Sequence, residues 1–395
     1  MANMLKAGKA YLKANPVTAL VNQHFKSYMT KRRYALISKH YRSLDGLLQS
    51  TLAIYRPWPS SSELKILFLG TDYFQDGGGM LQALQALGKV TVFTKEDGTY
   101  GMYPAHHATA MNAYYPNSKR LREIVKQMQE RGEPPDLIIG QMWGMAFDAR
   151  ILDEIRQRHG SVVLNIAMDD RHTYWGDMRS RRWMGSSGLI PYIDMALTAA
   201  PECVEWYAKE GGRALFFPEA SDPNIFYPMP ELPKIYDVTF VGARYGMREM
   251  IVHALRKEGI AVSAFGNEWE GGRLPTEDVP RVFAQSRIIL GVGTIGHCKD
   301  FYALKLRDFD APMSGSFYLT SDNPDLYELY EIGREIEVYR DVQDCINKVK
   351  WYLAHEYERE AIAAAGRQRA LRDHTWIQRF SNLFSALKSD VVCAE

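Results

Sequence analysis

The sequence predicts an α/β protein built from two doubly wound parallel halves, preceded by a basic helical extension. Short apolar runs rich in β-branched residues alternate with helix-compatible segments, a pattern that favours parallel sheets. The alternation runs once, stops at a stretch holding Pro218, Pro223, Pro228, Pro230 and Pro233, and then restarts. At 395 residues the chain also exceeds one ordinary core, so two units of about 150–200 residues are the natural division.

In the first half, residues 65–70 form an apolar run ending in Gly70, and a helix over 80–87 follows Gly77, Gly78 and Gly79. Residues 90–94 read as a second strand. Helical spacing returns at 121–131, Pro134 and Pro135 break it, and 136–140 reads as a buried strand. A helix at 146–159 and a strand at 161–167 follow, then a strand at 193–197, a helix at 202–210 and a strand at 214–217. Past the prolines the spacing predicts strands at 238–241, 260–264, 288–290 and 317–320. Helices are expected at 248–258, 280–285, 341–355 and 376–387. The chain therefore divides into a helical basic extension (1–60), a first domain (62–217), a Pro-rich linker (218–235), a second domain (236–373) and a last helix (374–390).

Composition is that of a soluble globular protein, with 46% apolar and 24% charged residues. The net charge of +1 hides an asymmetry: residues 1–60 hold ten Lys and Arg against Asp45 alone, so about +9, and the rest sums to about −8. Within the helix-compatible run 17–52, apolar Leu20, Val21, Phe25, Tyr28 and Met29 stand beside Lys31, Arg32 and Arg33. Such an arm either packs on the body with a solvated basic side or lies on anionic lipid; a nucleic-acid grip is the least favoured reading. No 18-residue apolar run occurs, so no membrane-spanning helix is expected. Lys6, Lys9 and Lys13 interrupt any signal-peptide core. Cys203, Cys298, Cys345 and Cys393 are scattered, which points to a reducing cytoplasm without structural zinc or disulfides.

The most informative stretch is 305–322. Lys305 and Arg307 can neutralise a diphosphate, Asp310 can accept hydrogen bonds from a ribose diol, and Gly315 lets the chain turn into a strand. Arg244 and Arg248 follow a strand and Gly242, close to where a diphosphate would lie; Arg248 fits a solvated helix face equally well. The run Gly291, Gly293, Gly296 formally matches the dinucleotide fingerprint, but it comes late in its half. A loop at Gly293 and Thr294 that lets backbone amides approach donor phosphate or sugar is favoured over NAD or a plain turn. Gly78 and Gly79, opening a helix, either admit a phosphate or simply supply positive φ.

Asp169 and Asp170 lie just after a strand, at the carboxyl edge where open α/β sheets keep ligands. They can orient an acceptor hydroxyl or act as general base, cap a loop, or bind a divalent cation. His106, His107 and His374 read as structural or surface residues. Trp143 and Trp175 stack on sugar rings or pack in the core.

Taken together, these stretches resemble the GT-B glycosyltransferases, and most nearly the spore-maturation-protein-like (CgeB-type) branch related to retaining group 1 enzymes. The resemblance rests on Arg307, Asp308, Phe309 and Asp310 with Ala311, Gly315, Ser321 and Asp322. It extends to Phe217–Asp222, Phe240, Gly242, Arg248, Gly266, Trp269, and a tail with His355, Arg359, Gly366, His374, Trp376 and Arg379. It covers residues 215–384 closely and 62–200 in outline. Two positions depart from the pattern: Asp310 replaces the usual Glu, and Tyr302 stands where the wider branch has a second Glu.

The resemblance implies two Rossmann-like domains facing a cleft, with the last helix crossing back to the first. It implies a metal-independent, retaining hexosyltransferase-type enzyme needing no cofactor, which moves a sugar from a nucleotide-sugar donor to a saccharide, lipid-linked or other hydroxyl acceptor. On that reading Lys305, Arg307 and Arg244 stabilise the leaving diphosphate, and Asp310 anchors ribose. Gly78, Gly79, Gly242, Arg248, Trp269, Gly293, Thr294 and Tyr302 complete the donor site, and Asp169 with Asp170, a pair that recurs in the family, positions the acceptor. A catalytically degenerate nucleotide-sugar scaffold and a nucleic-acid-modifying transferase are the alternatives.

Overall fold

A computed structural model of the chain describes residues 16–41, 58–59, 63–104, 110–179 and 181–389. In the first half, strands β1 (Leu64–Leu69), β2 (Gly88–Val92), β3 (Leu137–Gly140) and β4 (Val162–Ala167) precede a short antiparallel pair, β5 (Met178–Arg179) and β6 (Arg182–Trp183). Strands β7 (Met195–Thr198) and β8 (Ala214–Phe216) complete it. The sheet runs β2-β1-β3-β4-β7-β8, parallel throughout. The second half has β9 (Tyr236–Val241), β10 (Val262–Phe265), β11 (Ser286–Leu290), β12 (Tyr318–Ser321) and β13 (Glu337–Tyr339) in the parallel order β10-β9-β11-β12-β13. Every residue of β3 and β4 is buried, as continuous apolar runs covered by helices on both faces require. The expected α/β class with two doubly wound halves is what the chain adopts.

Both sheets reverse their winding beside their first strand, between β1 and β3 and between β9 and β11. Ligands of open α/β sheets gather outside the carboxyl ends of the strands at such points. The two switch points therefore locate the site before any side chain is considered.

Several element bounds differ from those expected, each for a local reason. The helix expected at 121–131 spans Ala110–Glu130. Leu121, Ile124, Val125 and Met128 supply the apolar face that spacing could detect. The turns before them are anchored by Asn117, whose side chain bonds the Tyr103 and Ala146 backbones. The helix expected from 146 begins only at Arg150. Asn117 takes the Ala146 carbonyl and Ser118 the Asp148 amide, at 2.8 Å, so that backbone is engaged elsewhere. The strand expected at 90–94 is Gly88–Val92, because the helix Met80–Leu87 passes directly into it. The helix Glu356–Asp373 and strand β13 were not anticipated.

Two passages join the halves, and they are bonded to each other. Ser221, just past β8, bridges Thr375; its amide donates to the His374 carbonyl and its carbonyl accepts from the Trp376 amide, each at 3.0 Å. The helix Trp376–Ser389 then packs Trp376, Phe380, Phe384 and Leu387 into the first half's core beside Leu64, Phe68 and Leu84. Gly79 backs onto this junction. A Cβ there would meet Asp222 Cβ at 2.6 Å, and its φ of 123° is one that L side chains rarely adopt.

The N-terminal helix Pro16–Tyr41 straps across both halves. Ile37 and Tyr41 enter the first half's core with Tyr174 and Trp206. Tyr34 packs on Phe301 of the second half at 4.6 Å, and Lys31 pairs with Asp300. The rest of the expected run, from 42 to 52, lies outside the described residues, as do His106, His107 and Cys393. Among the described residues no helix is long and apolar enough to cross a membrane.

Candidate active site between the two halves

At the facing switch points lies a cavity of about 340 Å³. The first half contributes Asp72, Phe74, Gln75 and Gly78, which follow β1. The second contributes Val241–Ala243 after β9, Gly266 and Asn267 after β10, and Leu306, Arg307 and Asp310 at the start of the helix Arg307–Met313.

Two guanidiniums flank Gly242 in the second half, Arg307 in the cavity lining and Arg248 outside it. Arg248, on the helix Met247–Lys257, is 6% exposed and donates from Nη1 to the Ala243 carbonyl at 3.1 Å. Arg307 lies over the Phe240 ring at 4.8 Å and donates to the Val241 carbonyl. Both converge on Gly242, where a Cβ would sit 2.6 Å from Arg307 Nη1 and 3.4 Å from Arg248 Nη1. Burial, reinforced by the neighbouring Arg307, lowers the Arg248 pKa to about 10. Neither makes an ion pair with the described residues, and Arg248 Nε and Arg307 Nε and Nη2 are buried without partners. Two close, underbonded cations, one buried and one half-buried, are costly unless an anion joins them.

Asp310 faces the same cavity with its Oδ1 unpartnered, and burial drives its carboxyl well above the ordinary range. Asp308, two residues before, is used differently. It accepts from Tyr318 Oη at 2.6 Å and from the Lys305 amide at 2.7 Å, and so fixes the backbone from which Lys305 projects. Lys305 Nζ reaches across to Asp169 Oδ1 at 4.0 Å. Asp169 is half-exposed, with His172 Nε2 at 3.9 Å. His172 is driven toward neutrality by burial and by nearby cations.

The other residues singled out from the sequence divide sharply. Asp170, adjacent to Asp169, is 1% exposed. Its carboxylate accepts from Ser186 and from Tyr207 Oη at 3.0 Å, and burial lifts its pKa to about 6. It is turned into the first half's core and knits a loop; it does not join Asp169 at the cleft. Trp269 spends its indole N–H on the Gly242 carbonyl, 2.8 Å away, so it supports the glycine and offers no free donor. Arg244 is exposed, paired with Glu249 and stacked on Trp269 at 5.3 Å, outside the cavity lining. Gly78 lines the cavity, whereas Gly79 is committed to the interdomain junction.

Gly293 donates to Ser321 Oγ at 3.2 Å, and Thr294, bridged to Tyr302, keeps a buried hydroxyl without a partner. The Tyr302 hydroxyl bonds the Lys299 carbonyl, and its own carbonyl receives Arg171 at 2.6 Å. Trp175 stacks on Trp183 at 5.0 Å and donates to Tyr41 Oη; Trp143 packs against Met145 and Met184. His374 is buried between the Leu329 carbonyl and Arg379, and burial lowers its pKa to about 4.

Some residues at the cleft or behind it had no role assignable from the sequence. Arg273 pairs with Asp72 at 2.7 Å and stacks on Phe74 at 3.9 Å, closing the cavity mouth from both sides. Arg171 binds Glu202 of its own half and Asp325 of the other. Glu219, in the linker, is 3% exposed with Oε2 unpartnered, and burial pushes its carboxyl up to about 7. Among the described residues no group of three His, Cys, Asp or Glu is arranged to hold a metal ion.

A family model described as glycosyl transferase-like matches residues 244–385, most of the second half. Solved structures share the fold over most of the chain. HepE of Anabaena, in complex with UDP-glucose, is 12% identical with a TM-score of 0.60, the match covering 83% of this chain and all of that one. Sucrose-phosphate synthase of Thermosynechococcus elongatus is 10% identical with a TM-score of 0.59, covering 84% of this chain and all of that one. AviGT4, a glycosyltransferase involved in avilamycin A biosynthesis, is 13% identical with a TM-score of 0.51, covering 83% and 99%. No curated protein matches the sequence. The fold is therefore GT-B.

Proposed function

We propose that this chain is a glycosyltransferase that moves a hexosyl unit from a nucleoside diphosphate sugar to a hydroxyl acceptor. The observation that carries the reading is the Arg248–Arg307 pair, one cation buried and one half-buried, neither with a carboxylate at ion-pair distance among the described residues, converging on a glycine at the carboxyl edge of β9. A diphosphate supplies the missing charge, and charge-assisted bonds to it strengthen as the leaving group develops charge. The glycosyl transferase-like match and the UDP-glucose complex of HepE support the same donor class.

In this reading the anomeric C–O bond to the diphosphate breaks and a bond to the acceptor oxygen forms, with the acceptor proton leaving. Arg248 and Arg307 hold the diphosphate, with Lys305 near its sugar end. Asp310 receives hydroxyls of the nucleotide ribose. Asp169, the first-half carboxylate that faces Lys305, orients the acceptor. The cations do the neutralising work a metal would otherwise do, so transfer is expected to proceed without one. Retention of anomeric configuration, the CgeB-type likeness and a cytoplasmic site of action belong to the same proposal.

A donor-hydrolysis and transfer assay tests it. Loss of both activities in Lys305→Ala and Arg307→Ala, with the fold intact, is expected; unchanged activity in both contradicts the assignment. Tyr302 favours a second reading, a nucleotide-sugar-binding scaffold without turnover, because its phenol replaces a carboxylate and its hydroxyl is bonded to Lys299. Tight nucleotide binding with no hydrolysis or transfer would select that reading.

A further inference from the structure

The N-terminal helix has two faces that do different things. Its inner face carries Ser27, Lys31, Tyr34, Ile37 and Tyr41 onto both halves. Its outer face carries Val21, Phe25, Tyr28, Met29 and Leu36, each between 44% and 63% exposed. At 3.6 residues per turn these five fall within an arc of about 100°. Arg32 and Lys39, also exposed, lie in the same arc, with exposed Lys26 at its flank. The helix contains five Lys and Arg and no Asp or Glu. A soluble surface rarely spends this many large apolar side chains on one contiguous strip without a partner.

We propose that this outer face docks on an anionic lipid surface, with the strip entering the headgroup region and Lys26, Arg32 and Lys39 meeting lipid phosphates. The occupant follows from the charge and its placement. A second copy would set two acid-free, cationic helices against each other. A nucleic acid would want a face made mainly of cations, whereas here five large apolar side chains outnumber Arg32 and Lys39 within the arc. An interfacial helix accommodates the observed arrangement, large apolar side chains with basic residues interleaved and flanking.

The inner face fixes how the protein sits. Tyr34 Oη bonds Glu202, which holds Arg171, the residue two after Asp169, so the docked surface lies beside the acceptor edge of the first half. Removing residues 1–60 would strip Ile37 and Tyr41 from the core, so substitutions confined to the outer face are the cleaner probe.

Cosedimentation of the full chain with vesicles of phosphatidylcholine, with or without 30% phosphatidylglycerol (a composition of about that order), tests the proposal without any nucleotide, so its failure is separable from that of the transferase reading. Binding to the anionic vesicles is expected, falling about tenfold or more in Phe25→Asp/Leu36→Asp at an unchanged unfolding midpoint. Should that pair perturb folding, Val21→Ser/Met29→Ser is expected to weaken binding in the same direction. Wild-type protein remaining in the supernatant overturns the proposal, as does equal pelleting of the variants. So does a concentration-dependent dimer lost in the variant without vesicle binding, or DNA binding that survives both substitutions.

Discussion

The two halves share a strand order yet differ in whether the charges beside the cleft are answered. In the first half, Asp76 accepts from the Thr71 and Asp72 amides, Tyr100 and Gln141; Asp194 pairs with Arg156 and caps the Val163 amide; Asp170 is held by Ser186 and Tyr207. Each of these carboxylates is answered from within its own half. In the second half, Arg307 and Asp310 at the cavity wall and Arg248 beside Gly242 keep polar atoms unanswered. Buried polar groups are ordinarily satisfied. The open valences gather at the second half's switch point, and the first half sends Asp72 and Asp169 toward it.

The comparison can be broken in order of expected effect. Asp194→Ala leaves Arg156 buried without its carboxylate and should cost about 3–5 kcal/mol of stability, read by denaturant unfolding. A cost below about 1 kcal/mol would mean that this half is not held by its internal pairs. Next is Glu219. Its pKa of about 7 in the fold against 4.5 as the ordinary value, raised mainly by burial, means that the folded state holds the proton more tightly. This contribution to stability is present at low pH and declines as pH rises from about 4.5 to about 7, by an amount on the order of 3 kcal/mol. Glu219→Gln should therefore gain on wild type between pH 5 and pH 8 in thermal unfolding, and parallel pH curves would contradict the assignment.

Third, Arg307→Ala should weaken nucleoside diphosphate binding about 10- to 150-fold by calorimetry, the loss of one charge-assisted contact. Its midpoint without nucleotide should not fall, because the substitution relieves Arg248 of a like charge. A large loss of stability would place Arg307 with the scaffold. The smallest effect is expected at Arg273→Ala. Its pair with Asp72 is close to half exposed on both sides, so stability should change by about 1 kcal/mol or less while nucleotide release accelerates.

The sequence made the fold legible wherever a single strand or helix buried a continuous face, as at β3, β4 and the helix Trp376–Ser389. It marked Gly242, Arg307 and Asp310, which the fold brings to one wall, and Arg248 beside them, because residue type and position after a strand suffice for those. It could not separate Asp169 from Asp170: the two are adjacent and alike, and only the turn of the chain sends one into the core and the other to the cleft. Arg273 with Asp72, and Arg171 with Asp325, are separated by 201 and 154 residues and obey no spacing. Asp308 looked like part of the donor motif, yet it braces Lys305 from behind.

The most direct test of the account is a metal-free calorimetric titration of the full chain with uridine, UMP and UDP, and with the matching guanosine and adenosine series, with EDTA present. The paired cations predict that one base series binds, and that its diphosphate binds at least about tenfold more tightly than its nucleoside, since at least one charge-assisted contact is added. A nucleoside that binds as tightly as its diphosphate, or no binding by any series, would contradict the claim that Arg248 and Arg307 form a diphosphate site.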